Sequence, residues 1–147
     1  RKAREHNITV IGSAPIGFGS SLITFKPTGM TFEEYFDIHD NQSTERKLLQ
    51  FGIGLAPSLM QRSYYPIKVI KFKEKAAPSA ILSIVLVANL SGTQAFKVIT
   101  GKAYFTAPWS LHFDPYVEKI KKIYLRGGNR NLIQRLKILY VRRKMKI

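Results

Sequence analysis

Apolar and polar positions alternate in blocks along the chain, and each block predicts an element. Residues 1–7 read as the end of a helix with Asn7 as its stop. Residues 8–11 are an apolar, β-branched run and predict a buried strand; "SSLITF" after Gly19 predicts a second. Thr31 with Glu34 three residues on is a capping box that opens a short amphipathic helix. "TERKLLQFGIGLAP" predicts a helix over 44–51, closed by Gly52 or Gly54 and stopped at Pro57. "SLMQRSYY" predicts a short helix or turn, and "IKVIKFK" at 67–73 alternates as a strand would. A long apolar helix is expected over 79–99, with Pro78 at its start and Gly101 at its end. Its small residues Ala80, Ala88, Ser91 and Ala95 suit close packing on a sheet or a helix. "AYFTAPWSLHFDPY" predicts one or two short strands, "GGNRN" a turn, and "LIQRLKILYVRRKMKI" a basic amphipathic helix. Leu132, Leu136, Leu139 and Tyr140 form its apolar stripe.

The glycines of "ITVIGSAPIGFGSSLITF" invite a phosphate-loop reading, which the spacing rejects. A dinucleotide fingerprint needs G-x-G-x-x-G opening a helix, and a P-loop needs Gly-Lys-Ser/Thr. Here Gly12, Gly17 and Gly19 precede no lysine, and the next segment is extended. The stretch is strand–turn–strand, and its glycines answer to positive φ or close backbone approach.

Composition narrows the chemistry. With 147 residues and 45% apolar content, the chain is long enough for one domain with a real core. It has no cysteine, so neither disulfide nor thiol chemistry is available, and a cytoplasmic location fits. His6, His39 and His112 lie far apart, with no second ligand at helical or hairpin spacing, so no metal site is assigned. Glu33, Glu34, Asp37 and Asp40 gather around the second helix; acids in a first turn complement the helix dipole, so no catalytic residue is assigned to them. The apolar stretch 76–98 is interrupted by Ser79, Ser83, Asn89, Ser91, Thr93, Gln94 and Lys97, which favours a buried helix over a membrane span. The net charge of +15 is uneven: residues 118–147 hold eleven Lys/Arg and one acid, ten of those fifteen charges.

The order of these pieces resembles the ThiF/MoeB/HesA superfamily, adenylyltransferases of the ubiquitin-activating type. "AREHNITVIGSAPIGFGSSLITFKP" is similar to its helix and following strand pair, and "LVANLSGTQAFKVITG" to its "aslqAlEaiKlLtG" helix. "GMTFEEYFDI", "FGIGLAPSLMQRSYY", "APWSLHFDPY" and "GGNRNLIQRLKI" look like a bacterial ThiF-family branch. The resemblance implies an α/β fold: the C-terminal half of a Rossmann-like ThiF/MoeB-type domain, a mixed sheet flanked by helices, over residues 1–117. Residues 118–147 then form a basic helical tail. It implies ATP and magnesium as cofactors of the whole protein, held by residues upstream of this chain. An opening without Met, inside a helical pattern, agrees with that expectation. The superfamily's zinc-binding cysteine pairs and any thioester cysteine are missing here.

Under the resemblance, Ser13, Ala14, Pro15, Gly17 and Gly19 sit where the acceptor tail passes the sheet and are the substrate-binding candidates; a plain crossing of strands explains each of them equally well. The implied partners are an N-terminal half or another chain, a ubiquitin-like or other carboxylate substrate protein, and a second copy in a homodimer. The alternative is a basic module that binds nucleic acid or an anionic surface through the tail, including Lys119, Lys121, Lys122, Arg142, Arg143, Lys144 and Lys146. The amphipathic helix also admits membrane association. A solvated helix face is the plainer account of that charge.

Overall fold

A computed structural model describes residues 1–65 and 79–145. The strand expected at 67–73, Pro78 and Lys146 lie outside the described residues. The fold is mixed α/β: a four-stranded antiparallel sheet with five α-helices among the described residues. The strands are β1 (Val10–Ile16), β2 (Gly19–Phe25), β3 (Trp109–Asp114) and β4 (Lys119–Tyr124), in spatial order β1-β2-β3-β4. Named strands pair antiparallel throughout; among the described residues the one parallel contact is an isolated bridge from Gly17 to Ser79. The mixed sheet of the sequence reading is therefore not formed by the described residues themselves.

Local signals account for most element ends. Helix α1 (Lys2–Glu5) is followed by Asn7 in the left-handed region, φ 54°, the stop expected there. Helix α2 (Phe32–Phe36) opens with the reciprocal capping box: Glu34 N–H donates to Thr31 Oγ1 at 3.0 Å, and Thr31 N–H to Glu34 Oε2 at 2.8 Å. Those bonds from Thr31 hold the Glu34 carboxyl below its usual range. Helix α3 (Thr44–Leu55) starts at Ser43, whose hydroxyl accepts from Arg46 N–H, and runs through both glycines to end before Pro57.

Two layers cover the sheet. On one face, Ile23 and Phe25 of β2 meet Tyr35 and Phe36 of α2, with Ala107 and Leu125, to form the main core. Phe36 anchors it, with ring centroids 4.6 Å from Phe32 and 5.0 Å from Phe51. Helix α5 (Leu132–Met145) packs on α3 through Val141, against Leu49 and Ile53. On the other face, helix α4 (Ile81–Ile99) lies over β1 and β2. Ser91 Oγ and Ser13 Oγ are 3.1 Å apart, and Gln94 Nε2 donates to Thr24 Oγ1 at 2.8 Å.

Three expectations need correction. Helix α4 is not a buried helix: within it only Ser83 and Gln94 are buried, while Ile81, Leu82, Val85, Phe96 and Ile99 are exposed. Ser83, Ser91 and Gln94 lie on the side that meets the sheet, with Val87 and Leu90 half-buried beside them, while large apolar residues at both ends of the helix face outward. By length and composition alone it could cross a membrane. Strand β1 is not buried either: Val10 is exposed, the rest is half-buried, and among the described residues it stands at the sheet edge, with Ile8 just before it 57% exposed. In α5 the expected stripe points away from the protein: Leu132, Leu136 and Leu139 are exposed, and Gln134 and Val141 make the buried side.

The segment 118–147, read from sequence as a helical tail, opens with a strand. Strand β4 pairs with β3 from Trp109↔Tyr124 to Asp114↔Lys119. The "GGNRN" turn then clamps the helical layer. Buried Asn129 donates through Nδ2 to Phe36 O at 3.0 Å and to Gln50 O at 2.7 Å. Arg130 Nε reaches Asp37 Oδ1 at 3.0 Å, and Gln50 Nε2 reaches Asp37 Oδ2 at 3.1 Å, tying the end of α2 to the turn and to the middle of α3.

Candidate functional site

The five sequence-predicted site residues lie on one hairpin. Ser13, Ala14 and Pro15 are in β1, opposite Leu22, Ser21 and Ser20 of β2. Gly17 and Phe18 form the two-residue turn, and Gly19 opens β2 opposite Ile16. Gly17 adopts φ 59°, which a side chain opposes. A Cβ there would also lie 2.6 Å from the Tyr64 hydroxyl, and one on Gly19 would lie 2.8 Å from Phe113 O.

The turn is clamped from outside, by residues that sequence reading did not single out. Tyr64 donates its hydroxyl to Asp114 Oδ2 at 2.6 Å and accepts the Phe18 N–H at 3.1 Å. Asp114 is fully buried and takes the Tyr116 N–H on its other oxygen, at 3.1 Å. Burial and the Asp114 carboxylate both push the Tyr64 phenol up, so it stays protonated and acts as a donor. Ala80 N–H donates to Gly17 O at 2.8 Å, which fixes the turn to the start of α4. Nothing local in sequence links Tyr64, Phe18 and Asp114; their only common signal is an aromatic or acidic residue next to each predicted element end.

A triphosphate needs free backbone N–H groups gathered around it. The Phe18 amide is consumed by Tyr64, and Gly19 belongs to the hairpin ladder, so this turn does not fit ATP. Among the described residues, no group of three His, Cys, Asp or Glu could hold a metal ion. Ser13 is engaged with Ser91 under α4, and Ala14 faces the opposite layer, so the five residues do not converge on one surface.

One pair has the composition of a nucleophile and its base: Ser110 Oγ and His112 Nε2 are 2.7 Å apart. Both are buried in the layer between β3 and α2, and burial lowers the imidazole to about 4. The pair is sealed and neutral, and serves the core rather than a substrate. Near the start of β1 lies a cleft of about 230 Å³, lined by Ile8, Val10, Phe25, Met30 and Phe32 together with Arg1, Arg4, Lys26 and Glu33. That is smaller than the ~300 Å³ at which small-molecule pockets generally begin. The chain matches no family model, no curated protein and no solved structure.

Proposed function

We propose that the chain is the carboxylate-side half of a cytoplasmic ThiF/MoeB-type adenylyltransferase, which joins a carboxylate, such as the C-terminus of a ubiquitin-like protein, to AMP with release of pyrophosphate. The observation that carries this reading is the contrast between the two sheet edges. Natural edges are blunted by lysines, prolines, short strands or bulges. Strand β4, "KIKKIY", is such an edge, with Lys119, Lys121 and Lys122 exposed along it. Strand β1, "VIGSAPI", carries no charge at all, and its outer side is unpaired by any named strand among the described residues. An edge without charge, blunted only at Pro15, supports the reading that the sheet continues there. Parallel strands added at β1 would make the mixed, Rossmann-like sheet of the superfamily. The exposed side of α4 supports the same reading, since an apolar face of that extent marks a contact surface.

On this reading the nucleotide is held by the added half, and the present residues supply rigidity on the carboxylate side. The hairpin Ser13–Gly19 is positioned by Tyr64, Asp114 and Ser91 rather than by a bound phosphate. The test is ATP–pyrophosphate exchange with this chain alone and with the polypeptide from its whole reading frame. The expected result is no exchange by the 147-residue chain and carboxylate-dependent exchange by the longer one. Robust exchange by the chain alone, or none by the longer polypeptide with any carboxylate or ubiquitin-like acceptor, would sink the proposal.

A further inference from the structure

Helix α4 covers β1 and β2, and among the described residues the same face of β4 keeps Ile120, Lys122 and Tyr124 exposed. Cross-strand register puts Trp109 opposite Tyr124 and Leu111 opposite Lys122 on that face, since Leu111 also opposes Leu22. Trp109 is 38% and Tyr124 53% exposed, with ring centroids 4.9 Å apart. Lys122 Nζ lies 4.9 Å from the Trp109 ring centre and 5.8 Å from that of Phe105. Lys119, Lys121 and Lys122 are exposed along one strand, and none forms an ion pair with another described residue.

From this geometry we infer a second site, independent of the hairpin: a stacking platform for single-stranded nucleic acid on Trp109 and Tyr124, with Lys122 as its phosphate contact. Aromatic faces bind unpaired bases by stacking, and a lining of cations tracks the phosphates. Edge protection alone explains Lys119 and Lys121, but it does not explain a partly exposed aromatic pair, its ring planes inclined at 58°, beside a lysine. An exposed cation–ring contact is weak, so a base displaces the Lys122 ammonium from the Trp109 face and frees it for the adjacent phosphate. The charge of the region selects an anionic occupant, and the planar rings select one with planar groups. A duplex keeps its bases stacked on one another and offers no free face. The site lies at the β4 edge, three strands from β1, so it does not depend on the adenylyltransferase reading.

Trp109 is the only tryptophan in the chain, so its fluorescence reports the platform directly. The chain is titrated with a 12-nucleotide oligothymidylate, a duplex of equal length, and phosphatidylserine-containing vesicles. The expected result is saturable quenching by the single strand alone, weakened with rising salt. Lys122→Gln and Tyr124→Ala should each weaken binding about tenfold, while Arg143→Gln with Lys144→Gln should change it less than about twofold. Both platform side chains are exposed, and unchanged thermal unfolding confirms that their variants fold. Trp109→Ala, followed by anisotropy of a labelled oligonucleotide, gives a second readout. The inference is overturned by absence of saturable quenching, or by binding lost in the Arg143/Lys144 variant and kept in the platform variants. It is equally overturned if only vesicles shift the emission, or if Trp109 is buried by self-association that excludes the oligonucleotide.

Discussion

Acid should destabilise this protein through one buried imidazole before its carboxylates are protonated. His112 sits 3% exposed between β3 and α2, and burial lowers it from 6.5 to about 4. The folded protein therefore holds His112 neutral where the unfolded chain takes up a proton. Its contribution to stability is complete above about pH 6.5 and is lost as pH falls towards about 4. At 1.36 kcal/mol per unit, the gap corresponds to about 3 kcal/mol, a large share of a domain's usual ~5–15 kcal/mol. The assay is urea unfolding at steps from about pH 7 to about pH 4, on the natural chain and on His112→Gln, which keeps a polar partner for Ser110 and cannot titrate. The natural chain should lose about 3 kcal/mol more than the variant across that range. The depressed carboxyls of Glu34 and Asp40 are present in both proteins and begin to lose their contribution only near about pH 4, so they cancel in the comparison. Identical pH slopes for the two proteins would refute the reasoning, as would an NMR titration of His112 near its ordinary value.

Gly17→Val should cost about 1–3 kcal/mol in thermal unfolding, because φ 59° and the Tyr64 hydroxyl both oppose a side chain; an unchanged midpoint would remove that argument. In α5 the buried and exposed apolar residues should part company. Val141→Ala, at 2% exposure, should cost about 2 kcal/mol. Leu136→Ser, at 58% exposure, should stay within about 0.5 kcal/mol. The reverse ranking would mean that α5 packs by its leucine stripe after all.

Local chemistry was legible wherever one residue type had one physical use. Asn7 as a helix stop, the Thr31–Glu34 box, the Gly17 turn and the Gly101 stop, with φ 66°, all stand as the sequence suggests. Gly54 misled because a glycine in a helix has two uses. Here it leaves room for the Phe36 ring, which a Cβ would strike, and the helix continues past it. Strand β4 was hidden because "KIKKIY" reads first as a run of charge; its alternation matters only once β3 is there to pair with it. The facing of α4 was legible only in part: of the small residues expected on the sheet side, Ser91 meets β1 but Ala88 is exposed. An apolar helix on nearly every side gives no periodic clue to which side meets the sheet, and hydrogen bonds from Ser91 and Gln94 decided it. The five hairpin candidates were legible as a turn, while the Tyr64–Asp114 clamp joins residues 50 apart in sequence and needed the fold.

The account turns on β1 being an interior strand of a larger sheet that this chain completes only in part. Hydrogen exchange tests that most directly, followed amide by amide in Val10–Ile16 for this chain alone and for the polypeptide of the whole reading frame. The prediction is that outward-facing β1 amides gain protection in the longer polypeptide relative to the chain alone, up to that of β2, while the lysine-guarded β4 edge exchanges equally in both. Equal, unprotected exchange along β1 in the two proteins would contradict the account, because no further strand would then be paired at that edge.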